Sequence, residues 1–132
     1  MAVRTDLEIT SKEIKLGSGA EIIAVEFTVA SGTKFIICTC YRVGTLGMAN
    51  HDKLIGAFQT LSRRRNLSKI YVVGDFNLKD AVWDALSSPV PIKQCFIDSF
   101  VDLGLVQCVS QPTHRKGNIL DLVLTSAETS AC

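Results

Sequence analysis

The strongest constraint on the fold is an apolar Tyr-Val-Val run at residues 71–73 that ends in Gly74-Asp75-Phe76-Asn77. Aromatic and β-branched residues in succession are typical of a strand buried on both faces, which places this strand in the centre of a sheet. Asp75 and Asn77 are two residues apart, so in a continued strand their side chains would point the same way. The sequence therefore predicts a carboxylate and an amide side by side at the end of a central strand.

Each polar residue of interest has a functional and a structural interpretation. The pair Asp75 and Asn77 suits a metal-assisted phosphoester site, but Asp and Asn also bond their own backbone in ordinary strand-to-turn exits. Asp121 interrupts the apolar run 119–124, where an isolated buried carboxylate would be costly. It needs a partner, which is either a functional site or loop backbone at a sheet end. These motifs taken singly leave both interpretations open.

The remaining pattern alternates strands with helices. Residues 21–41 predict a β-hairpin with a turn at Ser31-Gly32-Thr33, and helical spacing of apolar residues follows from Leu54 to Leu61. A second helix ends at Gly104, a short strand covers 105–109, and the last strand covers 119–124. We expect one α/β layered domain over residues 1–132, because the chain is long enough for a single core.

Composition excludes several functional classes. The net charge of +1 gives no overall basic field, so any contact with nucleic acid must be local. No stretch approaches a transmembrane length and the amino terminus does not resemble a signal peptide, so we expect an intracellular protein without membrane contact. The five cysteines lack C-x-x-C spacing, which argues against a disulfide framework, a zinc site or a cysteine-held cofactor.

Five motifs occur together in the following order along the chain: Cys40-Tyr41-Arg42, Gly74-Asp75-Phe76-Asn77, Asp102-Leu103-Gly104-Leu105, Gln111-Pro112-Thr113 and the segment 118–126. Together they look like the endonuclease/exonuclease/phosphatase superfamily, and particularly the apurinic-type endonuclease domain that non-LTR retrotransposons encode beside a reverse transcriptase. The resemblance implies a partial four-layer α/β sandwich of the DNase I-like type, with two mainly antiparallel sheets flanked by helices.

The resemblance also implies roles for individual residues. Asp75 resembles the acid that orients or deprotonates the attacking water, and Asn77 the amide that holds the nucleophile and a phosphate oxygen. Tyr41 resembles the tyrosine that contacts the scissile phosphate, and Asp121 the carboxylate that orients a catalytic histidine. The implied cofactor is Mg²⁺, with Asp75 and Asn77 as candidate ligands, and the implied partner is DNA.

Three further residues are candidate contacts to the substrate. Thr113 lies where these nucleases often approach the DNA backbone, and Arg42 directly follows the tyrosine of the first motif. Arg115 lies with His114 in a polar loop that could contact phosphate, although an exposed polar loop without such a contact is the favoured interpretation. We expect these three side chains to lie near the surface.

The chain also departs from the family pattern. The Glu that is the family's main Mg²⁺ ligand would precede Met1, and the Ser-Asp-His strand would follow Ser126, so we expect both the Glu and the catalytic histidine to be missing from these residues. One hypothesis is a Mg²⁺-dependent phosphodiesterase that nicks DNA. The other, which we favour for the 132 residues alone, is an inactive remnant that serves as an interaction module or has no function, because both losses reduce the rate by powers of ten.

Two expectations follow from such a partial domain. Exposed sheet edges favour self-association of the chain. The location would be nuclear if the chain acts in retrotransposition and cytoplasmic otherwise.

Overall fold

The computed structural model describes residues 8–16, 21–42, 48–64 and 69–126. Within them a one-turn 3-10 helix, Trp83–Ala85, lies between the fourth strand and the second helix. The other regular elements are β1 Thr10–Ile14, β2 Ile22–Thr28, β3 Lys34–Tyr41, α1 Met48–Ser62, β4 Lys69–Asp75, α2 Pro91–Asp102, β5 Leu105–Gln107 and β6 Asp121–Ser126.

The described strands form one mixed sheet in the order β1-β2-β3-β4-β6-β5. The pair β3 and β4 is parallel, and the other neighbouring pairs are antiparallel. The carboxyl ends of β3 and β4 therefore lie at the same end of the sheet as the first residue of β6. We call this end, marked by Tyr41, Asp75 and Asp121, the upper rim.

Both helices pack on one face of the sheet. Alternate residues of the central strands, such as Cys38, Val72 and Leu124, are buried beneath apolar residues of α1 and α2. Four phenylalanine rings form the centre of this layer, with centroid separations of 4.9–6.3 Å. These rings are Phe58, Phe76, Phe96 and Phe100. Phe76 is fully buried and directly follows β4, so the core anchors the chain between Asp75 and Asn77.

The opposite face of the sheet is open among the described residues. Most of its side chains are half-buried or exposed, with Ile23 61% exposed, whereas Phe27 and Thr125 on this face are buried. The predicted pair of sheets is therefore not found in this part of the chain, which contains one sheet with helices on one side. The α/β class itself is confirmed.

Most predicted elements are present with small shifts. The hairpin is confirmed as β2 and β3, and both predicted helices are found. The last strand begins at Asp121, two residues later than predicted, and β1 was not predicted. Neither of the described helices is long and apolar enough to cross a bilayer.

The cysteines follow the expectation only in part. Cys38 and Cys40 are buried free thiols, and Cys95 is an exposed free thiol. Burial raises the pKa of the Cys38 and Cys40 thiols well above the usual value, so these side chains are inert apolar groups. Cys108, in contrast, is disulfide-bonded, which the spacing did not predict.

Candidate active site

Three of the predicted site residues lie in one row across the upper rim. Tyr41 pairs with Asp75 in the parallel ladder, and Asp75 pairs with Asp121 in the antiparallel ladder. Paired residues project on the same face, and here that face is the open one, because the alternate residues Cys40 and Leu122 are buried with the helices. Neighbouring strands are about 4.8 Å apart. A phenol and two carboxylates are thus brought together from three separate segments.

Asp75 and Asn77 form a tight turn immediately beyond β4. The backbone N–H of Asn77 donates to Asp75 Oδ1 at 3.0 Å, and Asn77 has a left-handed φ of 50°. The Asn77 side-chain Nδ2 donates to the carbonyl oxygen of Arg42 at 2.6 Å. The ordinary turn interpretation of this motif is therefore correct, and it fixes both side chains at the rim. The bond to Oδ1 leaves Asp75 Oδ2 to contact a substrate or a cation.

Tyr41 ends β3 with a side chain that is accessible to a substrate. The residue is 47% exposed, and its backbone N–H donates to the carbonyl oxygen of Glu21 at 3.0 Å. Glu21, an exposed acid just before β2, is thus a fourth residue of the row. No motif in the sequence marks Glu21, and only the register of the hairpin would have indicated its position.

The two facing acids concentrate negative charge at the rim. Asp75 and Asp121 are directly paired across two strands, and like charges in that position repel. A divalent cation bound near both would relieve the repulsion. Asp121 is exposed at the first position of β6, so it lies at the end of the sheet, which is one of the two interpretations that the sequence left open.

Thr113 organises the start of β6. Its Oγ1 accepts hydrogen bonds from the backbone N–H groups of Leu120 at 2.9 Å and Asp121 at 3.0 Å. Its own N–H donates to the carbonyl oxygen of Asn118, which closes the loop. Thr113 is exposed beside Asp121 and fixes the position of that acid, while a contact between Thr113 and substrate stays a prediction.

Replacing Thr113 with Val should loosen the beginning of β6. Two backbone donors lose their acceptor, and because this part of the chain is exposed we expect a loss of about 1 kcal/mol in the free energy of unfolding. Urea unfolding measures the loss, and hydrogen exchange should be faster at the Asp121 amide. Thr33→Val is the matched control, since the Thr33 hydroxyl bonds only Ser31 in the exposed hairpin turn. An unchanged hydrogen-exchange rate at the Asp121 amide would show that the Thr113 hydroxyl does not hold the start of β6 in place.

Arg42 is the site residue whose position differs most from the expectation. Its side chain is 1% exposed and lies under the rim with its guanidinium carbon 5.6 Å from the centre of the Phe96 ring. A surface contact to substrate is therefore not available to it in this structure. Arg115, in contrast, is exposed in the loop after Thr113, where a phosphate contact remains a prediction.

His51 lies beside Arg42 in the same buried region. It is 4% exposed and its ring is 5.4 Å from that of Phe96. Burial lowers the pKa of His51 below its usual value, and Arg42 lowers this pKa further, whereas Asp52 raises it. We therefore expect a neutral imidazole at pH 7.

This lowered pKa predicts that the protein loses stability in mild acid. Below the unfolded-state pKa, about 6.5, the unfolded chain binds a proton at His51 that the folded chain resists, so the free energy of unfolding falls as the pH decreases. Urea unfolding from about pH 7.5 to about pH 5.5 should show this decrease, and His51→Phe should reduce it. His114→Gln is the control and should keep the wild-type pH dependence. If the stability of His51→Phe and of wild type depended equally on pH, the loss of stability in mild acid could not be assigned to His51.

The donor chemistry at the rim suits a hard divalent cation, although the described residues do not complete a site. They contain no group of three His, Cys, Asp or Glu side chains placed to hold a metal. Mg²⁺, however, is commonly held by one or two carboxylates together with phosphates of the substrate. Asp75 and Asp121 are such carboxylates, and the Asn77 amide is a neutral oxygen donor beside them.

A groove of about 680 Å³ is separate from this row. It lies between the 3-10 helix, the end of α2, β5 and the loop 108–119. Its lining does not include Tyr41, Asp75, Asn77 or Asp121. We therefore place the candidate chemistry at the rim and not in this groove.

A mixed sheet with helices on one face, and with an acid and an amide at the end of its central strand, is compatible with the endonuclease/exonuclease/phosphatase class. Residues 35–132 match the model of the family described as endonuclease-reverse transcriptase. The chain belongs to this family, which confirms the resemblance inferred from its motifs.

Solved structures support the same fold. The human Nocturnin catalytic domain with bound sulfate has a TM-score of 0.57 and 19% identity, over 89% of this chain and 47% of its own. A mannosyl-6-phosphatase from Bacteroides thetaiotaomicron has a TM-score of 0.56 and 15% identity, over 95% of this chain and 55% of its own. An endonuclease/exonuclease/phosphatase family protein from that organism has a TM-score of 0.51 and 15% identity, over 80% and 41%.

These likenesses establish the fold and no more, because the identities are low. The chain spans about half the length of the solved structures it matches. No curated protein matches its sequence significantly.

Proposed function

We propose that the upper rim is part of an active site for metal-dependent hydrolysis of DNA phosphodiesters, as in an endonuclease domain associated with a reverse transcriptase. The observation that supports this most strongly is the register that aligns Tyr41, Asp75 and Asp121, with Asn77 held next to them. Family membership supports the same reaction class. Structural likeness alone would not distinguish a nuclease from a phosphatase.

Each side chain has a role that its chemistry permits. Asp75 orients the attacking water through Oδ2 and accepts its proton, while the Oδ1 bond keeps the carboxylate in place. Asn77 contacts a non-bridging phosphate oxygen, and the exposed Tyr41 phenol donates to another. When bound, Mg²⁺ neutralises charge that develops on the phosphoryl oxygens. Asp121 supplies the second carboxylate of the row. The family resemblance further implies that this carboxylate orients a catalytic histidine.

Nicking of supercoiled plasmid by the purified chain tests this proposal. The assay compares Mg²⁺ with excess EDTA and follows conversion to the relaxed circular form. Nicking that requires Mg²⁺ supports the proposal. The same background with and without Mg²⁺ overturns it for this chain.

The second candidate is a chain that does not catalyse and acts as an interaction module. It is favoured by the lack of a three-ligand metal cluster among the described residues and by the open sheet face, where Ile23 is 61% exposed. Within the described ranges β1 and β5 are the outermost strands of the sheet, and such strands offer backbone groups for self-association. Light scattering should then detect a dimer or larger species, whereas a monomer that nicks DNA with Mg²⁺ excludes this candidate.

A further inference from the structure

Arg42 contacts each residue of the Asp75-Phe76-Asn77 segment. Its backbone N–H donates to the carbonyl oxygen of Asp75 at 2.8 Å, and its carbonyl oxygen accepts from Asn77 Nδ2 at 2.6 Å. Its guanidinium Nη1 donates to the carbonyl oxygen of Phe76 at 3.4 Å. One residue at the end of β3 thus holds three successive residues at the end of β4.

We propose that Arg42 is a positioning residue, which holds the Asp75 carboxylate and the Asn77 amide in their places at the rim from beneath. This inference rests on the proposed function, because it assigns Arg42 an indirect part in the same hydrolysis. It replaces the surface contact to substrate that the sequence suggested. The guanidinium acts through Phe76 and through the backbone of its own residue.

The state of the guanidinium argues against a role limited to filling space. Among the described residues no carboxylate lies within ion-pair distance of it, and Nε has no hydrogen-bond partner. The residue is 1% exposed, and burying a guanidinium charge without an ion-pair partner carries a desolvation cost. An apolar side chain of similar volume would pack against Phe96 without this desolvation cost.

Unlike an apolar side chain, the arginine reaches the Phe76 carbonyl group and donates a hydrogen bond to it. A planar guanidinium stacks over an aromatic ring and at the same time donates hydrogen bonds in its own plane. Here it lies over Phe96, and Nη1 donates to the Phe76 carbonyl oxygen. Because Phe76 separates Asp75 from Asn77, fixing its carbonyl group fixes the direction in which the chain leaves β4.

Two substitutions separate positioning from packing and from substrate contact. Arg42→Met keeps the volume and removes the hydrogen bond, and Arg42→Lys keeps the charge without the planar fork. In the Mg²⁺ plasmid assay we expect kcat to fall about 100-fold in Arg42→Met and about 10-fold in Arg42→Lys, with KM within about 3-fold of wild type. The melting temperature of Arg42→Met should stay within about 5 °C of wild type.

Arg115→Met is the comparison for direct contact with DNA. Its side chain is exposed, so its loss should raise KM and weaken the salt dependence of binding while kcat changes little. A raised KM with unchanged kcat in Arg42→Met would overturn the proposal, because that is the pattern of a substrate contact. A wild-type kcat in a folded Arg42→Met would also overturn it.

A structural readout keeps this proposal distinct from the proposed function. NMR of the wild-type chain should detect scalar coupling across the hydrogen bond between Asn77 Nδ2 and the carbonyl carbon of Arg42, and the Arg42→Lys spectrum should show it weakened. If wild type does not nick DNA, the proposed hydrolysis fails, while the coupling still decides whether Arg42 holds Asn77. Absence of the coupling in wild type, or identical coupling in Arg42→Lys, would overturn positioning even if Arg42→Met does not fold.

Discussion

Asp75→Asn is expected to reduce Mg²⁺-dependent nicking by about 10³-fold, because it removes the group that accepts a proton from the attacking water. The substitution keeps the size of the side chain. It also keeps an oxygen that accepts the Asn77 N–H, so the turn beyond β4 should persist. Far-UV circular dichroism and the melting temperature should therefore match wild type while the rate falls.

Asp102→Asn is the matched control for this change. Asp102 is an exposed acid at the end of α2, close to the start of β5 at the opposite end of the sheet. Its substitution removes the same charge from the same class of side chain and should leave nicking unchanged. Wild-type nicking by Asp75→Asn, or an equal loss in Asp102→Asn, would remove Asp75 from the site.

Gly74→Ala should be the most destabilising of the small substitutions in this chain. An added Cβ would lie 1.8 Å from the carbonyl oxygen and 2.8 Å from the carbonyl carbon of Cys40 on β3. These are backbone atoms of the paired strand, so relief requires β3 and β4 to move apart. We expect a loss of about 3 kcal/mol or more in the free energy of unfolding, measured by urea titration.

The movement would also separate Tyr41 from Asp75, because these residues directly follow Cys40 and Gly74 in the ladder. Gly56→Ala is the control, since a Cβ on this α1 glycine meets nothing within 4 Å. That variant should gain about 1 kcal/mol from the better helix propensity of Ala. Equal midpoints for Gly74→Ala and wild type would show that the strands adjust without cost.

The central strand and its exit were predictable because several local signals agree. An apolar run identifies β4, and the Asp-x-Asn spacing identifies the turn that follows it. The hairpin was predictable from alternation with period two, and the helices from apolar residues at helical spacing. In each case the burial of one face requires apolar residues at regular spacing, and this spacing is visible in the sequence.

Elements without a regular spacing of buried residues could not be predicted from the sequence. Strand β1 has the sequence Thr-Ser-Lys-Glu-Ile and only Ile14 is buried, because it lies at the edge of the sheet. These residues form a strand because they pair with β2, and this pairing is a tertiary contact that the local sequence does not indicate. The predicted second sheet came from the family resemblance alone, and the described residues contain one sheet.

The positions of the candidate site residues were predictable only in part. The placement of Asp121 depends on the Thr113 hydroxyl, which fixes where β6 begins. The burial of Arg42 could not be read from its neighbours, since an arginine after an exposed Tyr41 is normally solvated. Its inward direction follows from the Phe96 ring, more than 50 positions away along the chain.

The most direct test of the central claim is paramagnetic broadening by Mn²⁺ in NMR spectra of the isotope-labelled chain. A cation site at the upper rim predicts that substoichiometric Mn²⁺ broadens the amide signals of Asp75, Asn77 and Asp121 first, and that excess Mg²⁺ restores them. Broadening centred on Asp98 and Asp102 of α2, or uniform broadening over the chain, would contradict the account.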